Sequence, residues 1–309
     1  MSVAIDPLSS GEELKRRIQQ FARDASTEIS THDEPLLPAL AAELAGGTTV
    51  YVAHTPSASL DEVVRVALRV QQLGLRASPH IAARRLRDRG ALRTALQTLR
   101  AGGVEQVLLV AGDLPESQGA FTSTLEVLDS GCLEQAGILR AGVCGHPEGN
   151  RAISQAALWH ALAHKQAYAR RSTLQLHIVT QFCFDPQAIC TWERALGEHG
   201  IRLPVHVGIA GPTPLPKLIR FAVQCGVGAS LRSMMKNIGA VSKMTRLATS
   251  PDEMLIGLVR CYAGLDSTQL RQPHLFAFGG ALATAQWLRR VQQGRFELPL
   301  DGGKFQMSS

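Results

Sequence analysis

Residues 48–81 read TTVYVAHTPSASLDEVVRVALRVQQLGLRASPHI. The first seven are a β-branched, apolar run of strand length, and residues 77–81 return to the same composition after a Gly-Leu break. Between them, residues 60–73 place apolar side chains at a 3.6-residue period, with Asp61 and Glu62 near the start and Gly74 just past the end. Acids at the first turn and a glycine after the last are what a helix with matched termini needs. Strand, helix and strand in so short a span imply two parallel strands joined by a crossover helix.

The pattern repeats outward from there. Strand-like runs occupy residues 25–31, 48–54, 77–81, 106–111, 139–144, 174–182, 204–209 and 274–278. Helical periods occupy residues 60–73, 91–100, 152–169, 186–199 and 215–225, and residues 231–265 read as wholly helical. Eight such units predict an α/β fold of the (β/α)8 TIM-barrel type, in a single domain. The competing doubly wound sheet lacks its glycine fingerprint, because Gly102-Gly103 follows a helix and Gly279-Gly280 lacks the rest of the pattern. The expected organisation is an N-terminal helix over residues 1–24, the barrel over 25–300 and a flexible tail over 301–309.

Composition narrows the function classes. The chain has 309 residues, 45% hydrophobic and 19% charged, which excludes a disordered or fibrous protein. A net charge of +6 would suit an anionic ligand, but the basic residues gathered at Arg84, Arg85, Arg87, Arg89 and Arg93 interleave with Leu86, Leu92 and Leu96. That spacing reads as a solvated helix face, so no nucleic-acid partner is inferred. No run approaches the ~18 apolar residues of a membrane span, so no membrane partner is inferred either. The opening Met-Ser-Val-Ala-Ile-Asp-Pro has no apolar core, and the scattered cysteines form no Cys-x-x-Cys pair. The expectation is a reducing cytoplasm, with the cysteines acting as small buried hydrophobes.

Polar residues collect where strands should end, at the rim from which barrel enzymes draw their catalytic groups. They are Glu28, His54-Thr55-Pro56, Pro79-His80, Gly112-Asp113-Leu114-Pro115, His146-Pro147-Glu148 and Thr180-Gln181-Phe182-Cys183-Phe184-Asp185. Each alone could be a turn or a helix cap. On successive strand ends they would face one cup, where the carboxylates of Glu28 and Asp113 have neighbours able to separate their pKa values, as acid–base chemistry requires.

In this order the motifs resemble the methylenetetrahydrofolate reductase family, flavin-containing barrels that interconvert 5,10-methylene- and 5-methyltetrahydrofolate. Thr27-Glu28-Ile29 resembles that family's Phe-Glu-Phe, Ser78-Pro79-His80-Ile81 its Pro-His-Leu, and Val110-Ala111-Gly112-Asp113-Leu114-Pro115 its Arg-Gly-Asp-Leu-Pro. His146-Pro147-Glu148 stands as in the family, and Ile178-Val179-Thr180-Gln181-Phe182-Cys183-Phe184-Asp185 is similar to its Ile-Thr-Gln-Phe-Phe-Phe-Asp. The resemblance implies that Glu28 is the general acid that protonates N10, and that Asp113 lies between flavin and pterin. It implies substrate contacts from Gln181, Asp113 and Phe184, and FAD contacts from His54, His80, Gly112, Asp113, His146 and Lys165. NAD(P)H is left open as an electron donor, and a homo-oligomer as the assembly.

The departures are specific. Ser30-Thr31-His32-Asp33 replaces a proline-rich start, Ala111 stands in place of Arg, and Val143-Cys144-Gly145 in place of a Tyr-bearing segment. Extra residues follow Lys165 (168–173), and Phe278-Gly279-Gly280 replaces a polar strand ending. These changes imply a divergent member with altered flavin binding, or one that oxidises 5-methyltetrahydrofolate in one-carbon catabolism. The alternatives are a non-catalytic folate carrier or regulatory partner of a methyltransferase, which would not need both Glu28 and Asp113, and a flavin-free NADH-dependent reductase. His160 and His164 share a helix face at i, i+4 but lack a Glu partner, so they read as helix packing and no metal is expected. Trp159, Trp192 and Trp287 likewise read as packing residues, with an oligomer interface as the use for an exposed one.

Overall fold

The computed structural model describes residues 11–224, 248–249, 251–262, 267–298 and 305–307. Eight strands close into a parallel barrel: β1 (Ser26–Ser30), β2 (Thr49–Ala53), β3 (Arg76–Ala82), β4 (Gln106–Val110), β5 (Arg140–Gly145), β6 (Gln175–Thr180), β7 (Val205–Ala210) and β8 (Leu270–Phe276). Each lies beside its neighbours in sequence, and β8 closes onto β1 through Ser26↔His274 and Thr27↔Leu275. Seven fall within two residues of the strands expected from the sequence, while β8, expected over 274–278, begins four residues earlier at Leu270 and ends at Phe276. β6 stops at Thr180, so Gln181 to Asp185 form the loop above the rim.

The crossover helices are capped as their sequences dictate. Ser59 accepts from the Glu62 backbone while the Glu62 carboxylate accepts from the Ser59 N–H at 2.7 Å, so helix Leu60–Gln72 begins with a reciprocal cap. Asp88 accepts from Ala91 N at 2.7 Å at the start of Arg89–Ala101, and Asp185 precedes Pro186–Glu198 with Pro186 at its first position. Gln155–Arg171 runs through the residues read as an insertion, and Tyr168 is buried there against Glu134. The helix Leu37–Glu43 and the short helices Thr124–Asp129 and Cys132–Gln135 lie where no helix was expected.

Alternate residues of each strand face the helices and make the core. Val50, Val52, Ile81, Val107, Leu109, Val143, Ile178, Val205, Val207 and Leu275 are fully buried in this outer layer. Burying such a side chain contributes about 1.5–3 kcal/mol. The interior apolar cluster is separate and small, made of Tyr51, Leu108 and Val179 with Val110 beside them.

Three expectations are corrected. The tail is anchored at residues 305–307: Phe305 is buried, its N–H donates to Asp252 Oδ2 at 3.0 Å, and Gln306–Met307 pair with Phe296–Glu297. The cysteines are not all isolated hydrophobes, because Cys190 and Cys261 form a disulfide between helices Pro186–Glu198 and Asp252–Tyr262. Local spacing cannot reveal a pairing made through the fold. His160 is exposed and His164 Nε2 lies 3.0 Å from Asp129 Oδ2, so neither is packing filler. Cys225 and most of the segment read as helical over 231–265 lie outside the described residues; its described part contains helix Asp252–Tyr262. Among the described residues, no helix is long and apolar enough to cross a membrane and no His/Cys/Asp/Glu group could hold a metal.

Candidate active site

Glu28 stands in the middle of β1 with its side chain inside the barrel, opposite Tyr51 of β2. Its Oε2 lies 3.2 Å from His80 Nε2 on β3 and 3.8 Å from His274 Nε2 on β8. A 2.9 Å bond between Ser26 Oγ and His274 Nδ1 fixes that ring so that Nε2 faces the carboxylate. Burial pushes the Glu28 carboxyl up, but the charge and hydrogen bonding of His80 and His274 outweigh it and hold the group down at about 2. Carboxylate and imidazoles therefore form one compact cluster in the barrel interior.

Above this cluster opens a cavity of about 460 Å³, lined by Glu28, His80, Gln181, Lys217 and an aromatic wall. The wall is built from Phe182, Phe276, Phe278 and Phe221; Phe278 stacks on Phe221 at 4.7 Å and meets Phe182 edge-on at 4.9 Å. Phe278 has φ 47°, a left-handed conformation uncommon for a side chain of this size and a mark of functional loops. The next residue, Gly279 (φ 75°), leaves room for the Lys217 ammonium, since a Cβ there would lie 2.4 Å from Nζ. A flat, partly polar ligand with an anionic tail matches this lining. Phe184 packs on Phe182 at 5.7 Å, behind the wall.

A second cavity, of about 400 Å³, takes in Gly112, Cys144, His146, Lys165, Trp159 and Trp192. Lys165 is buried with no carboxylate in ion-pair distance among the described residues, and burial lowers its pKa. Burial also lowers His146, to about 4, with Lys165 adding to the shift, and raises the Cys144 thiol against the opposing pull of Lys165. Lys165 and half-buried Gly112 (φ +94°) line the same cavity, and a buried ammonium with no carboxylate in ion-pair distance among the described residues has the chemistry an anion would match.

Three residues implied by the resemblance line neither cavity: Phe184, behind the aromatic wall, and Asp113 and His54. Asp113 is gripped by Arg85, with Nη2 2.7 Å from Oδ1 and 3.0 Å from Oδ2, while Arg85 Nη1 reaches Pro56 O at 3.3 Å. His54, at the end of β2, is held down at about 4 by burial and then by the charges of Arg85 and His80. Arg84 donates to Leu114 O at 2.9 Å and Thr122 O at 3.1 Å. Arg84 and Arg85 therefore tie the rim loops together, and only Arg89 and Arg93 of the basic group lie on the helix, which corrects the solvated-face expectation. Trp192 and Trp287 are buried as expected, whereas half-buried Trp159 stacks on His199 at 4.1 Å.

Reading only strand ends missed His274, Ser26 and Tyr51, which lie within strands. The usable signal was parity, because Ser26 and Glu28, or His274 and Phe276, occupy the same face of their strands.

Comparison with known proteins gives one family. The profile described as Methylenetetrahydrofolate reductase matches residues 45–246, well over half of the chain. Among solved structures, an uncharacterized protein from Clostridium thermocellum that binds two copies of 5-methyl-5,6,7,8-tetrahydrofolic acid is similar at 10% identity and a TM-score of 0.56, over 89% of this chain and 98% of that one. Dihydropteroate synthase from Thermus thermophilus is matched at 15% identity and a TM-score of 0.46, over 85% of this chain and 91% of its own.

Proposed function

Because this chain belongs to the methylenetetrahydrofolate reductase family, we propose that it is a flavin-dependent oxidoreductase interconverting 5-methyl- and 5,10-methylenetetrahydrofolate, working in the oxidising direction. The observation that carries this is Glu28, whose buried carboxyl and histidine partners lie at the base of an aromatic-walled cavity. In the oxidising direction the Glu28 carboxylate, held at about 2 and so ionised, takes the proton from N10 as the bond from the methylene carbon to N10 forms; in the reducing direction the same group returns that proton as the bond opens. Gln181 contacts the pterin edge, the phenylalanines hold its faces, and Lys217 faces the glutamate carboxylates of the tail.

The second cavity fits a flavin nucleotide. Lys165 supplies the cation a phosphate needs, and His146 and the Gly112 backbone supply polar contacts. His80, beside Glu28, is the flavin contact on the folate side. When bound, the flavin carries the hydride chemistry. The flavin-side roles of Asp113 and His54 rest on the family resemblance alone, since both lie outside the lining of the two cavities and Asp113 is held by Arg85. NAD(P)H as a direct donor is the flavin-free version of the same assignment.

A second reading is a carrier that holds two folates without turnover. It is favoured by the presence of two distinct cavities together with a structural neighbour that binds two copies of 5-methyltetrahydrofolate. Equilibrium binding to FAD-saturated protein separates the two. The enzyme takes one folate per chain and loses its visible flavin absorbance anaerobically; a carrier takes two and the spectrum does not change.

A further inference from the structure

Barrels of this kind are ordinarily filled by layers of branched apolar side chains. Beneath Glu28 this one is polar. Tyr51 OH shares a 3.0 Å hydrogen bond with His177 Nε2 on β6 and accepts from Gln106 Nε2 on β4 at 3.1 Å. The His177 ring stacks on His206 of β7 at 4.3 Å. On the upper side, Tyr51 meets the His274 ring edge-on at 4.5 Å, and His274 lies 3.8 Å from Glu28. Gly142 of β5 makes room for this, since a Cβ there would lie 3.0 Å from His177 Nε2. Gln106 is the first residue of its strand and His206 the second, and both are partly exposed, so the lower end reaches water at the N-terminal mouth. Glu28 Oε2, His80 Nε2, His274 Nε2 and His206 Nδ1 are buried with no aligned hydrogen bond, an arrangement that costs stability unless the groups exchange protons or bind water.

We propose that this column, running from Glu28 through His274, Tyr51 and His177 to His206, is a proton conduit that connects the acid to solvent through the floor of the barrel. The inference rests on the folate assignment above. A ligand seated over the cup covers Glu28 from above, and the floor is then the way in and out for its proton. When Glu28 gives a proton to N10, the carboxylate takes one from the imidazole beside it. Each member then passes one proton upward, and one enters from water at His206; oxidation runs the same path in reverse, and no other bond changes.

The groups suit this task. Burial holds His177 at about 3 and lowers His206, so these two are neutral rings with one N–H and one lone pair, able to accept and donate, while burial lowers His274 against the opposing pull of Glu28. The Tyr51 hydroxyl, raised by burial, stays protonated. The other titratable or charged groups that face the column are His80 on β3, Cys144 and Arg140 on β5, and Glu28 itself. The steps longer than a hydrogen bond are spanned by one bound water on either side of His274, whose ring Ser26 holds, and by ring rotation or a water between His177 and His206.

The test uses the full chain saturated with FAD and 5-methyltetrahydrofolate. Tyr51→Phe removes one oxygen and keeps the ring. Turnover should fall about tenfold or more with folate affinity unchanged, the solvent deuterium isotope effect should rise, and millimolar imidazole should restore part of the rate. His206→Asn, at the partly exposed end, should act the same way and carries the test if Tyr51→Phe does not fold. Wild-type rates, pH profiles and isotope effects in the folded variants would overturn the conduit while leaving the folate assignment standing. A wild-type chain that binds and turns over no folate would overturn both.

Discussion

Replacing Lys165 with Met separates a residue kept for a ligand from one kept for the fold. The side chain is 6% exposed, lies inside a cavity and has no carboxylate in ion-pair distance among the described residues. Its stem packs, and methionine preserves most of that packing while removing the ammonium. Exchanging a buried charge for an apolar side chain of similar volume stabilises by about 1–4 kcal/mol. For a chain of this size that raises Tm by about 2–8 °C. The sign also follows from linkage: burial lowers the Lys165 pKa, so the unfolded chain binds the proton more tightly, and the penalty fades as pH rises toward the unfolded value. Ligand binding runs the opposite way. FAD at a hundred times its Kd stabilises the wild type by about 2.7 kcal/mol, and Lys165→Met should lose that increment. Thermal melts with and without FAD, paired with fluorescence titration of the flavin, read both effects. A Lys165→Met protein that melts lower than wild type and still binds FAD with wild-type affinity would refute the assignment of Lys165 as an anion site.

Other outcomes follow from the same geometry. Gly142→Ala would set a Cβ 2.7 Å from Leu108 Cδ1 and 3.0 Å from His177 Nε2, and overpacking of this kind costs about 1–3 kcal/mol by urea denaturation. Acid should destabilise the protein in a defined window. Burial depresses His146 to about 4 and His177 to about 3, so below pH ~6.5 the unfolded chain takes up protons the native one refuses, and stability falls by up to about 1.4 kcal/mol per pH unit for each group. Glu28, held at about 2, adds its loss below its unfolded value, and an unfolding series between pH 7 and pH 3 checks the direction. Peptide mapping without reductant should recover Cys190 linked to Cys261. Closing a loop with a sequence separation of 71 is worth about 4 kcal/mol in the chain-entropy account, so dithiothreitol should lower the denaturation midpoint.

The barrel was readable because its two periods are distinct. Residues 48–54 and 60–73 differ in spacing as well as composition, and Asp61 with Glu62 at the start and Gly74 past the end bound the helix. Glu28, His80, Gln181, Gly112, His146 and Lys165 were readable from motif order, and the structure gathers them around two cavities. What stayed hidden is set by three-dimensional closure. Arg85 resembles its helix-face neighbours in sequence, but a short 3-10 turn at Ala83–Arg85 turns it onto Asp113. His274 meets Glu28 only because β8 closes on β1, and Cys190 meets Cys261 only because their helices pack together. The polar floor was hidden for another reason. His177 and His206 sit in the middle or near the start of apolar runs, and it is the alternation of faces within each strand, summed over the ring, that brings them together.

The most direct measurement is anaerobic stopped-flow mixing of 5-methyltetrahydrofolate with FAD-saturated wild-type protein and with Glu28→Gln, monitored in the visible flavin band. The wild type should bleach. Glu28→Gln should bind the folate with similar affinity and bleach about 10²–10⁴-fold more slowly. Bleaching at the wild-type rate in Glu28→Gln, or a wild-type protein that neither binds the folate nor bleaches, would contradict the assignment of Glu28 as the proton-handling group of a folate oxidoreductase.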